Sequence, residues 1–264
     1  MRQREWLLFS LLPLVGCMRT HYNLATQRQE LTMTSTDKEV QMGRKLAKQV
    51  ESELTLVADE PMQARVRRIG AQLAAVCDRK ELVYSFAVVK DHDANAFSLP
   101  GGYVFVNDGL VKHTASDDEL AAVLAHELAH IAARHAVKRY ETNLSAQLLQ
   151  LASLAATRRH GDGSAAGVGI ALQAARLAYA REDELEADRL AVKYVQAAGF
   201  DPKAMLTFLT RLHTLQQDKL SYLPRDMVRP AYGMTHPYIP ERIRAVKEAL
   251  FGVADYIDYL NTPD

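Results

Sequence analysis

Cysteine is almost absent from this chain. Cys17 and Cys77 are the only two in 264 residues, so no disulfide framework staples the fold. An excess of either charge is absent too. The 32 Lys and Arg residues balance 32 Asp and Glu residues and are dispersed, which removes the electrostatic footprint of a nucleic-acid binder. No internal repeat is visible, which speaks against a solenoid or propeller. The glycines between Gly161 and Gly169 follow no strand and precede no Lys, so they form a loop and not a phosphate cradle. The chain is long enough for one well-filled domain.

What is present is His126-Glu127-Leu128-Ala129-His130, an H-E-x-x-H in a run built for a helix. Residues 121–133 are nearly all helix formers, with no Gly or Pro. Ser116 offers an N-cap, with Asp117, Asp118 and Glu119 where the helix dipole favours acids. Ser116 and Glu119 together fit a capping box. This helix is apolar on almost every face and is expected to be buried. Imidazoles four residues apart share one helix face, so both reach a single zinc ion, with the adjoining Glu placed beside an attacking water. The bland alternative is a pair of core histidines bonded to carbonyls.

A catalytic zinc site takes three protein ligands. The metzincin pattern places the third in H-E-x-x-H-x-x-G-x-x-H, but this chain has Ala133 and Ala136 at those two positions. His135, nine residues after His126, falls about 180° around a continuous helix and is expected at the surface. The remaining source is a carboxylate from a second helix. In residues 180–191, Glu182, Glu184 and Glu186 compete. Glu184 forms an i, i+4 pair with Asp188, which supplies both a ligand and a carboxylate to hold a ligating His by its other N–H. A solvated, charge-rich face paired with Arg181 and Arg189 is the competing explanation.

These motifs in order carry a family resemblance. His126-Glu127-x-x-His130, Arg181-x-x-Glu184-x-x-x-Asp188, Thr235-His236-Pro237 and Glu241-Arg242-Ile243 together resemble the M48 peptidases, the gluzincins that include CAAX-processing and HtpX-like zinc endopeptidases. Asn95-Ala96-Phe97-x-x-Pro100-Gly101-Gly102-Tyr103-Val104-Phe105-Val106 resembles the strand and hairpin upstream of that family's zinc helix. The likeness spans about Thr36 to Phe251. It implies an α+β, mostly helical domain with a small sheet before the H-E-x-x-H helix. It further implies one zinc per chain on His126, His130 and Glu184, Glu127 as general base, and hydrolysis of peptide bonds without a covalent intermediate. In the gluzincin pattern an edge strand pairs with substrate, which would make Asn95, Ala96 and Phe97 substrate-facing; a hairpin that only seals the core is the alternative. His236 has two readings as well: an active-site imidazole near the zinc, or a cap for the helix that starts near Pro240.

The ends add location. Arg2 and Arg4 precede an apolar run, Trp6 to Val15, too short to span a bilayer as a helix. Leu14-Val15-Gly16-Cys17 resembles a bacterial lipobox, so residues 1–16 are expected to be a signal peptide and Cys17 to be lipidated. Several acyl chains anchor stably where one is marginal. Met18 is not the Asp of an inner-membrane retention signal, which points to an outer-membrane lipoprotein facing the periplasm. Cys77 then has no partner within one chain and reads as a small buried hydrophobe. Residues 17–36 read as a polar, aperiodic tether, and 37–264 as the metalloprotease domain, ending at Asp264 without a partner-binding repeat module. Helices are expected over 37–56, 60–78, 116–138, 141–157, 170–197, 202–216 and 239–251.

The resulting expectation is a lipid-anchored zinc endopeptidase acting on misfolded envelope proteins, with the membrane as its other partner. A chaperone-like or binding lipoprotein with a closed zinc site, and a zinc amidase acting on peptidoglycan, are the rivals.

Overall fold

The computed structural model describes residues 19–144, 179–222 and 236–252. The expected signal peptide (residues 1–16), Cys17, residues 145–178 with the helices and glycine loop expected there, and the Thr235 position lie outside them. The described residues begin with a hairpin where an aperiodic segment is expected: β1 (Arg19–Asn23) pairs antiparallel with β2 (Arg28–Thr32). Both strands are polar and only their last residues are buried, so no apolar alternation marks them. Distant partners hold the hairpin in place. The Asn23 amide donates to the Ala132 carbonyl at 3.2 Å, and Thr32 Oγ1 donates to Glu141 Oε1 at 2.7 Å.

Helices α1 (Thr36–Glu53) and α2 (Glu60–Val76) follow, each opened by a side-chain cap from Ser35 or Asp59. Three strands come next: β3 (Ser85–Val89), β4 (Ala96–Leu99) and β5 (Tyr103–Asn107). They form one sheet in the order β3-β5-β4, with β3 parallel to β5 and β4 antiparallel to it. The turn between β4 and β5 needs its glycines. Gly101 and Gly102 have φ of +77° and +103°, and a Cβ on Gly102 would lie 2.5 Å from the Val83 carbonyl oxygen. Helix α1 crosses that turn so closely that a Cβ on Gly43 would lie 1.8 Å from the Pro100 carbonyl oxygen.

A short helix, α3 (Asp108–His113), leads into α4 (Asp117–Ala132), which carries both motif histidines. Ser116 Oγ accepts from the Glu119 N–H at 3.1 Å, as the expected cap requires. The Glu119 carboxylate reaches the Ala115 N–H at 2.7 Å, one residue outside a standard box. Every residue of α4 from Glu119 to Ala132 is buried. Around it pack α2, the sheet, α5 (Arg181–Ala197) and α6 (Ala204–Tyr222), while α7 (Ile239–Phe251) lies against α5 and α6. Leu120, Leu124 and Leu128 of α4 join Val66, Ile69 and Leu73 of α2 in one core, each burial stabilising by about 1.5–3 kcal/mol. Cys77 is buried and free, with its Sγ 3.1 Å from the Tyr84 hydroxyl. Among the described residues, no helix is long and apolar enough to cross a membrane.

The expected 116–138 helix is broken. It ends at Ala132, Arg134 takes a left-handed φ of +58°, and helical backbone resumes over 135–144. Left-handed backbone costs an L-residue about 1–2 kcal/mol. Buried partners offset it here: Arg134 Nε donates to Glu39 Oε2 at 3.0 Å and Nη2 to the Thr34 carbonyl at 2.6 Å.

Candidate metal centre

Four donor groups from three separate parts of the chain converge beside α4. His126, His130, Glu184 and His236 each offer one ligand atom, all within 4.8 Å of one another, and all four are buried. The Nε2 atoms of His126 and His130 are 3.0 Å apart, and Glu184 comes within 3.5 Å and 3.4 Å of them. His236 Nδ1 lies 3.1 Å from Glu184 Oε1 and 3.3 Å from His126 Nε2. Tetrahedral bonds of 2.0–2.1 Å separate ligand atoms by roughly 3.3 Å, so this spacing suits a zinc-sized ion.

Charge makes the same point. Glu127, Glu184 and Asp188 are three carboxylates at 1% exposure or less, and Arg242, fully buried, is the guanidinium among them. With the imidazoles neutral, as metal ligands must be, that leaves two negative charges among the described residues of a dry core, where unpaired charge is very costly. A divalent cation cancels them.

Each side chain is set by an identifiable neighbour. Helix α5 turns Glu184 and Asp188 to one buried face, leaves Glu182 exposed and half-buries Glu186. Asp188 Oδ1 lies 2.8 Å from His126 Nδ1, the orienting contact expected of it. Arg242, from α7, donates to both oxygens of Asp188 at 2.8 Å and approaches Glu184 Oε2 at 3.0 Å. Burial opposes the ionised form of Asp188, but Arg242 outweighs it and holds the carboxyl below its usual range. For Glu184 burial is likewise outweighed, by His236 and Arg242, and the group is held well below the carboxylate range. Burial and Arg242 press His126 towards neutrality, yet Asp188 and Glu184 overcome them and lift it to about 9 in the protein alone. Burial holds His130 well below the ordinary imidazole value despite Glu184.

Glu127 is fully buried and neither of its oxygens accepts a hydrogen bond, although His236 Nε2 is 3.3 Å from Oε1. A buried acceptor left in this state needs an account. His236 precedes α7, where Tyr238 takes a left-handed φ of 66° and makes no side-chain cap. The imidazole points into the donor cluster, with Nδ1 towards Glu184 and His126.

His135, expected at the surface, is buried. The break at Arg134 removes it from the α4 register and turns its Nδ1 to within 2.8 Å of His130 Nδ1. Two further site residues carry little sequence signal. Arg242 lies in the Glu241-Arg242-Ile243 motif, but the pattern alone does not give it a role. Tyr179 stacks on His130 with ring centroids 3.8 Å apart, and its position before α5 gave no sequence signal. Of the three proposed substrate-facing residues, Asn95 and Phe97 are half-buried and Ala96 is wholly buried. Phe97 stacks on Phe105 at 5.4 Å. Strand β4 ends the described sheet on the side of α4.

An H-E-x-x-H helix, a Glu from a following helix and a small sheet beside them define a metallopeptidase. The model described as Peptidase family M48 matches residues 60–250, and the chain belongs to that family. Zinc is the family's metal, and the donor set here fits it. Among curated relatives, the beta-barrel assembly-enhancing protease of Yersinia pestis is 30% identical over 79% of this chain and 43% of its own length. The protein of that name from Escherichia coli is 28% identical over 78% of this chain and 42% of its own. The mitochondrial metalloendopeptidase OMA1 of Schizosaccharomyces pombe is 31% identical over 85% and 65%. The chain thus spans less than half the length of these bacterial relatives.

Proposed function

We propose that this chain is a zinc endopeptidase of the cell envelope, with the metal on His126, His130 and Glu184 and with Glu127 as general base. One observation carries the reading: four buried donors converge beside a buried carboxylate whose oxygens accept no hydrogen bond. Zinc bound there supplies Lewis-acid chemistry, which acidifies water and polarises the scissile carbonyl. Glu127 takes a proton from the attacking water and returns it to the departing amine. Asp188 holds the His126 ring, and Arg242 holds Asp188 and Glu184. The backbone of β4 offers an edge to an extended substrate, flanked by Asn95 and Phe97; Ala96 contributes main chain alone, because its side chain is in the core.

The substrates are unfolded or misfolded envelope proteins, and the anchor is lipid on Cys17 in an outer membrane, facing the periplasm. The lipobox-like Leu14-Val15-Gly16-Cys17 supports this placement, and the bacterial relatives carry names that refer to beta-barrel assembly. The test is substrate trapping with Glu127→Gln in the native envelope. Enrichment of cleavable proteins supports the reading, and recovery of no protein overturns it.

One observation favours a second reading, a binding lipoprotein with a closed, low-activity site. His236 Nδ1 lies among the donors, and four protein donors leave no open position for water. Zinc content and peptidase activity of His236→Ala decide it: activity that rises with zinc retained favours the closed site. Unchanged activity and unchanged zinc remove His236 from the site altogether.

A further inference from the structure

The chain breaks its central helix at Arg134 and holds the break with buried partners, and the side chain this delivers to the site is His135. We infer that His135 is a positioning residue for the metal, fixing the ring and the tautomer of His130 so that Nε2 of that ring is presented to zinc. The inference rests on the metallopeptidase reading of the site and extends it.

His130 Nδ1 and His135 Nδ1 are 2.8 Å apart in the buried interior, so one nitrogen donates and the other accepts. On its far side His135 Nε2 faces two carboxylate oxygens, Glu186 Oε2 at 3.2 Å and Asp183 Oδ1 at 3.5 Å. Carboxylates accept and do not donate. Between neutral rings this settles both tautomers. His135 carries its proton on Nε2, towards Glu186, and its Nδ1 is left as an acceptor. His130 must then carry its proton on Nδ1 and donate it to His135. Its Nε2 lone pair is left facing His126 and Glu184, as a metal ligand requires. The opposite assignment fails twice. It puts a bare His135 Nε2 against two carboxylates, and it puts a proton on the His130 nitrogen that should bind the metal.

The two motif histidines are therefore held by matching means. Asp188 takes Nδ1 of His126 directly, and Glu186 takes Nδ1 of His130 through His135. Such outer partners raise ligand basicity and fix ring direction. The route depends on the left-handed turn. In an unbroken α4 the His135 side chain would lie about 180° around the helix from His126, away from the metal. Glu39 and the Thr34 carbonyl, by holding Arg134, hold the turn that delivers it.

The experiment is zinc affinity by chelator competition on the full chain, for wild type, His135→Phe and His135→Asn, with thermal unfolding of each metal-free form. Phe keeps a planar ring and removes the acceptor; Asn restores an acceptor near the Nδ1 position. Loss of such a partner typically weakens metal binding about 10–100-fold. The expected result is a loss in that range for Phe, recovery to within several-fold of wild type for Asn, and no parallel trend in metal-free melting temperature. Affinities that stay at the wild-type value in both variants overturn the inference, as do losses that track melting temperature and are not rescued by Asn. Wild-type protein that binds no zinc overturns the metallopeptidase reading as well, so the two failures are distinguishable.

Discussion

Replacing Arg242 by Met should cost this fold more than almost any other single change. The guanidinium is fully buried and makes two hydrogen bonds of 2.8 Å to Asp188, with Glu184 Oε2 3.0 Å away. Met keeps much of the volume, so packing loss is small. The charge loss is not, because Asp188 and Glu184 stay buried and lose their strongest partner. Breaking a buried pair from one side costs about 3–5 kcal/mol. Against a total stability of about 5–15 kcal/mol for a domain, that is a large fraction. Urea unfolding of the metal-free protein measures it. A double-mutant cycle with Asp188→Asn isolates the pair, and we expect a coupling of at least about 1 kcal/mol, since directly bonded groups are not additive. A loss under about 1 kcal/mol, or simple additivity with Asp188→Asn, would refute the buried-charge argument.

Other perturbations test other parts of the account. Glu119 is held below the usual carboxylate range although burial opposes its charge, because the Ala115 N–H, Arg211 and Thr207 donate to it. A lowered folded-state value gives stability that is full above the unfolded value of about 4.3 and disappears as pH falls through the folded one. Glu119→Gln should therefore flatten the acid side of a melting temperature profile, and an unchanged slope contradicts the assignment. Gly43→Ala should destabilise by about 1–3 kcal/mol in denaturant unfolding, because its Cβ would meet the Pro100 carbonyl at 1.8 Å; a neutral effect means α1 does not cross that turn so closely. Ser116→Ala should lose about 0.5–2 kcal/mol through the missing cap, and thermal unfolding that does not change removes the cap from the account.

The parts of this fold legible in the sequence are those fixed by local pattern. Helix α4 announces itself through alanine-rich composition and a capping Ser116, and α2, α6 and α7 begin within two residues of where periodicity places them. Glu184 is separable from Glu182 and Glu186 because only it pairs at i, i+4 with an Asp able to hold a histidine. Contacts across long chain separations are what local pattern does not carry. The stop at Arg134 has no Gly or Pro to signal it; it exists because Glu39, 95 residues away, and the Thr34 carbonyl, 100 away, reward a left-handed residue there. The misplacement of His135 follows directly, since an angular projection holds only while the helix continues. The hairpin of β1 and β2 is equally silent, being polar on both strands and held by Ala132 and Glu141. Strand β3 differs, because Ser85-Phe86-Ala87-Val88-Val89 is a short apolar run of the kind found in a parallel pair and so does carry a local signal.

The most direct test of the central claim is a paired measurement on Glu127→Gln: zinc per chain by elemental analysis, and cleavage of an unfolded protein substrate. Glu127 supports proton transfer in this account and holds no metal. Zinc should therefore stay at one per chain while turnover falls about 10²–10⁴-fold. A variant that keeps its zinc and still cleaves at the wild-type rate would contradict the account.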